Sequence, residues 1–277
     1  MKLRCIAVLL LLALLQGCSV TRLAYDNADL FLRWQANHYF DFQGEQIEEL
    51  DRLLAAFLAW HRAKALPKYQ RLADEAAARL SRGITPADLE WSYDAVQAQV
   101  RETLGAAAAE AAGLLDRLSP AQISHLEQRF AEGNRKFAKE YVQGPMKERE
   151  QERIKRNLER LEEWFGSLNA AQTERVRRYG ARAPLAAELR ERDRQRRQAE
   201  FVAILRGREA GRRLARWAQD WEAGREAAYV DAARMVRAEY VDLLLDLDRS
   251  LSAEQRAHAV ARMKKFATLF ESLSQHQ

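Results

Sequence analysis

Apolar positions recur three, four and seven residues apart along almost the whole chain, the spacing that stacks side chains on one face of an α-helix. From about Glu45 to Lys64, Ile47, Leu50, Leu54, Phe57 and His61 fall on one such face. Pro67 is expected to end or kink this helix, because it lacks an N–H and its ring crowds the preceding turn. Tyr69, Leu72, Ala76 and Leu80 continue the pattern to Arg82-Gly83. Upstream, Asp26 or Asn27 can cap a helix bearing Leu30, Phe31, Trp34 and His38, and Tyr39 to Gly44 reads as an aromatic-rich turn. Downstream, Leu89, Tyr93, Val96, Val100, Leu104 and Ala107 form a long stripe on residues 86–117, with alanines beside it that would let a neighbour approach closely. Further stripes run through 120–142, 146–165, 185–205, 208–248 and 253–273. No segment alternates with the period of two that a strand requires.

Four helix starts are written in capping chemistry. Thr85-Pro86-Ala87-Asp88, Ser119-Pro120-Ala121-Gln122, Asn169-Ala170-Ala171-Gln172 and Ser252-Ala253-Glu254-Gln255 each place a capping side chain three residues before a polar acceptor. Pro86 and Pro120 occupy the first helical position, where a missing N–H costs nothing. Ile84, Leu118, Leu168 and Leu251 precede the caps as staple residues. The expected fold is all-α: an elongated bundle of eight to ten helices without a sheet. The break at Gly144-Pro145 would separate an N-terminal part, 18–143, from a C-terminal part, 144–277, unless 18–277 is one continuous domain.

The first residues change the picture. Lys2 and Arg4 precede an apolar run of about eleven residues that ends at Leu15-Gln16-Gly17-Cys18. A charged start, a short apolar core and a small residue form the layout of a secretory signal, and the core is too short to span a bilayer. Leu-x-Gly-Cys resembles the lipobox of bacterial lipoproteins. In that class residues 1–17 would be removed, and Cys18 would carry an S-diacylglycerol and an N-acyl chain such as palmitate. Ser19 after the cysteine is compatible with sorting to the periplasmic face of the outer membrane rather than to the inner membrane. Removing residues 1–17 lowers the net charge from +5 to +3, with 43 cations against 40 acids. The high pI therefore reflects many nearly balanced charges and gives no reason to expect nucleic acid. Cys18 would be the only cysteine left, so no disulfide could form.

Candidate chemistry is sparse. Of the five histidines, only His258 sits four residues from a carboxylate, Glu254, that opens a helix, and this reads as a surface pair rather than a metal site. No nucleophile elbow, phosphate-cradling glycine loop or Cys-x-x-Cys occurs, so neither an enzyme nor a bound cofactor is expected. The stretch 175–216 is rich in arginine; Arg190, Arg192, Arg194, Arg196 and Arg197 could dock to anionic headgroups or an acidic partner, or instead pair with the Glu-rich residues 148–163. Trp217 and Trp221, one turn apart amid arginines, are candidates for an exposed aromatic surface.

Two resemblances bear on function. Leu118-Ser119-Pro120-Ala121-Gln122 and its echoes at 168–172 and 251–255 resemble the L-T-x-x-Q motif of small periplasmic chaperones, which implies a cradle-like dimer that clamps unfolded clients. The series Leu23-Ala24-Tyr25-Asp26-Asn27-Ala28, Tyr39-Phe40-Asp41-Phe42 and Trp60-His61-Arg62 before Leu66-Pro67 is similar to a family of uncharacterised, all-helical bacterial lipoproteins. Together these imply a lipid-anchored envelope protein that acts by binding a protein partner, as scaffold or adaptor, with the chaperone-like clamp, the homo-oligomer and the enzyme as alternatives.

Overall fold

The four expected caps all form. In the computed structural model, which describes residues 22, 23 and 25–275, the N–H of Gln122 donates to Ser119 Oγ at 3.2 Å, and the N–H of Ser119 donates to Gln122 Oε1 at 3.0 Å. The same reciprocal pair is made at Thr85/Asp88, Asn169/Gln172 and Ser252/Gln255. Ser119→Ala is expected to lower stability by about 1 kcal/mol in chemical denaturation, the usual cost of losing such an acceptor.

The described residues form ten helices and no strand. Helix α1 is Ala28–Phe40. Helix α2 runs through Glu45–Trp60, a π-turn His61–Ala65 and Leu66–Ser81. There follow α3 (Pro86–Leu115), α4 (Pro120–Phe137, extended by a π-turn Ala138–Val142), α5 (Met146–Phe165), α6 (Ala170–Arg182), α7 (Ala187–Arg206), α8 (Ala210–Gln219), α9 (Ala227–Ser250) and α10 (Ala253–Gln275). Pro67 neither ends nor sharply breaks α2. The helix widens by one residue just before the proline, and the N–H of Leu66 reaches back five residues to His61 O. The stripe over 208–248 does not form one helix: Asp220 to Glu226 turn, with Gly224 at φ 72°, and α8 and α9 part there.

Three apolar clusters hold the bundle. The largest joins Phe42 and Leu50 to Leu114, Leu115, Ile123 and Leu126, and then to Ile204, Leu205 and Leu214, so α7 and α8 share a core with the N-terminal helices. A second packs Leu161, Val176, Tyr179, Leu243 and Leu247 between α5, α6 and α9. In the third, Leu66 of α2 meets Leu269 and Leu273 of α10. Helices from both sides of Gly144-Pro145 therefore meet in the first and third clusters.

The cap glutamines do a second job. Gln172 donates through Nε2 to Gln255 Oε1 at 2.9 Å, and Gln255 returns a bond to Gln172 Oε1 at 3.0 Å. Gln122 and Gln46 make a like pair, at 2.8 Å in one direction and 3.4 Å in the other. Each amide accepts from its own helix start and donates to a helix start distant in sequence. A carboxylate could accept but not donate, which is a physical reason for glutamine at these positions.

Candidate functional site

Helix α3 has two apolar sides, and it buries the one made of small residues. Gly105, Ala108 and Ala112 face inward, and a Cβ at Gly105 would collide with the side chain of Gln219 on α8. The close approach of α3 and α8 uses up that side. The larger stripe is open along its middle: Tyr93, Val96, Val100 and Leu104 are 39%, 59%, 40% and 42% exposed. They follow one another at intervals of three or four residues, so they form one continuous ridge. Gln97 sits within this ridge, and its Oε1 is buried with no hydrogen-bond partner among the described residues. Helix α9 borders one end. Its Arg237 guanidinium stacks 3.6 Å from the Tyr93 ring, and Val230, seven residues earlier on the same side, is 40% exposed. Four large apolar side chains in one row suit the apolar face of another helix or of an extended peptide.

A second feature joins two of the segments that carry the lipoprotein resemblance. Tyr25 Oη lies 2.9 Å from His61 Nδ1, at the π-turn ahead of Pro67. Phe57, Trp60 and Tyr69 ring the imidazole, and Tyr69 Oη meets Thr103 Oγ1 at 2.7 Å. Arg62 lies over the Tyr25 ring. Burial, aided by the Arg62 charge, pushes the His61 pKa below its ordinary value, and burial pushes the Tyr25 phenol up. Because the folded-state pKa of His61 is lowered, its contribution to stability is present above about pH 6.5, the unfolded value, and is lost as the pH falls. His61→Gln is accordingly expected to flatten the fall in denaturation midpoint between pH 7.5 and 5.5. An unchanged slope would remove His61 from that role.

The arginines of α7 are engaged within the molecule. Arg190 lies over Phe137, Arg192 forks onto Glu226, and Arg194 Nε donates to Asn134 Oδ1 at 2.7 Å. Arg196 bonds Asp193 and Glu200. Arg197 donates to Trp217 O at 2.9 Å with its guanidinium 3.7 Å from the Trp217 ring. None of these partners belongs to residues 148–163; the ion pair that does join the two stretches is Arg149–Glu188 at 2.6 Å. Trp217 and Trp221 are both half-buried rather than open. Trp217 stacks on Phe201 and donates Nε1–H to Glu200 Oε2 at 3.0 Å, while Arg101 covers Trp221. The Trp217 ring finishes the edge of the largest core.

Cys18 lies outside the described residues, as does His276. Among the described residues no three His, Cys, Asp or Glu side chains come together as a metal site, and His258 Nε2 approaches Glu163 O at 3.4 Å. No described helix is long and apolar enough to cross a membrane.

Fold and surface together define an all-helical bundle that carries an uncovered apolar ridge. The chain belongs to the family of unknown function DUF6279, whose model matches residues 38–229. That span takes in the His61 turn, all of α3 and the arginine-rich α7. Neither the curated proteins nor the solved structures contain a match to the chain.

Proposed function

We propose that this chain is a lipid-anchored envelope protein that works by holding a protein partner, as scaffold or adaptor, on the open ridge of α3. The observation that carries the binding role is the ridge itself: Tyr93, Val96, Val100 and Leu104 stay exposed on a helix whose other side is tightly packed. Large apolar side chains in a continuous exposed row mark interaction surfaces more often than isolated ones do. The anchor rests on Leu15-x-Gly17-Cys18, with the lipid on Cys18 and the domain on the periplasmic face of the outer membrane.

Mass spectrometry of the membrane-extracted protein tests the anchor. The expected N-terminus is Cys18 bearing an S-diacylglycerol and an N-acyl chain, and Cys18→Ser should keep residues 1–17. A mature end at any other residue refutes it. Copurification after crosslinking in intact cells tests the role. A scaffold yields one defined partner, whereas a chaperone-like clamp suppresses aggregation of unrelated unfolded proteins and yields many.

A further inference from the structure

The outer side of α1 and the turn ahead of it form a second large apolar surface left open among the described residues. Leu23, Leu30, Phe31 and Trp34 are 64%, 59%, 36% and 44% exposed. Leu30, Phe31 and Trp34 share one helical face, and Leu23 lies just ahead of it, past the turn at Asn27 whose N–H donates to Leu23 O. The opposite side is committed to the bundle. Ala36, Tyr39 and Phe40 pack on the largest core, and Arg33 pairs with Asp51 at 3.2 Å. Leu30 and Trp34 also line a groove of about 230 Å³ with Ile47 and Leu50, which extends the apolar surface onto α2.

The position of this face in the chain indicates what covers it. Leu23 lies five positions beyond Cys18, and a chain spans at most about 3.6 Å per residue. An acylated Cys18 therefore holds Leu23 within about 18 Å of the lipid headgroups. A helix lying in the interface buries its apolar face about 5–10 Å into the headgroup and acyl boundary, and tryptophan is enriched at that level. We propose that α1 lies on the bilayer carrying the anchor, with Leu23, Leu30, Phe31 and Trp34 bedded in its interfacial region, so that the domain is held in one orientation rather than swinging on its lipid. This inference rests on the acylation of Cys18 put forward above.

The test uses the full acylated chain, its lipid verified by mass, reconstituted in phosphatidylcholine vesicles with plain or brominated acyl chains. Bromine quenches only tryptophans that reach the lipid. Of the six tryptophans, the other five (Trp60, Trp91, Trp164, Trp217 and Trp221) are half-buried. Brominated lipid should quench part of the wild-type emission seen in plain lipid, and that quenched part should vanish in Trp34→Phe. It should also vanish in Leu30→Asp/Phe31→Ser, which alters only the outer face and keeps Trp34. Acylated protein without quenching, or with equal quenching in Trp34→Phe, would overturn the docking of α1 and leave the anchor standing. A Cys18 without lipid would overturn both.

Discussion

Gln172→Glu is expected to destabilise the protein by about 3 kcal/mol at pH 7: the carboxylate keeps the donors Asn169 N–H and Gln255 Nε2–H, but the buried acceptors that the amide served lose their hydrogen bonds beside a charge. Gln172 has no exposed surface. Its Nε2 donates to Ser250 O at 3.0 Å and Gln255 Oε1 at 2.9 Å. A carboxylate in that place would confront two acceptors with no proton to offer. The loss would be a large part of the roughly 5–15 kcal/mol that holds a domain together. Burial among acceptors also raises the pKa of the new carboxyl. The penalty is thus fullest at high pH and is relieved as the pH falls and the protonated acid donates one bond. Denaturant midpoints at pH 7.5 and 5 check both parts. A cost under about 1 kcal/mol would mean that the glutamine clip holds little together.

Val96→Asp/Val100→Asp is expected to have the opposite profile: almost no effect on the fold and a large effect on binding. Both side chains are exposed, so the change in stability should stay within about 0.5 kcal/mol. If the ridge is the centre of the partner interface, each substitution removes at least about 2 kcal/mol, some thirtyfold in Kd. The partner's copurification should disappear while the melting curve and membrane attachment persist. A variant that keeps its partner at wild-type strength would free α3 from the role.

How much of this was legible in the chain follows from how local the physics is. The caps could be read because Ser119 and Gln122, or Asn169 and Gln172, need only each other to satisfy a helix start. The joining of Gln172 to Gln255 could not, since 83 residues separate them and nothing local marks the second partner. On α3, apolar period alone cannot say which of two apolar sides is buried. The small side won because Gly105 and Ala108 let α8 come close, and the larger stripe was left outside. For the arginines of α7, net charge pointed to the Glu-rich residues 148–163. Their actual partners include Glu200 and Asp193 on the same helix, Glu226 at the start of α9 and the Trp217 ring. The π-turn at His61 was foreshadowed by Pro67, whose missing N–H demands some accommodation in the preceding turn, while the Tyr25 contact needs the fold.

On the proposed reading, α3 is where a partner sits. Site-specific photocrosslinking in intact cells tests it most directly, with a photoreactive phenylalanine placed at position 96, at position 100, or at Met146, a lone exposed side chain at the start of α5. One discrete adduct of the same mass is expected from positions 96 and 100, and none from 146. No adduct from the ridge, or the same adducts from all three positions, would contradict it.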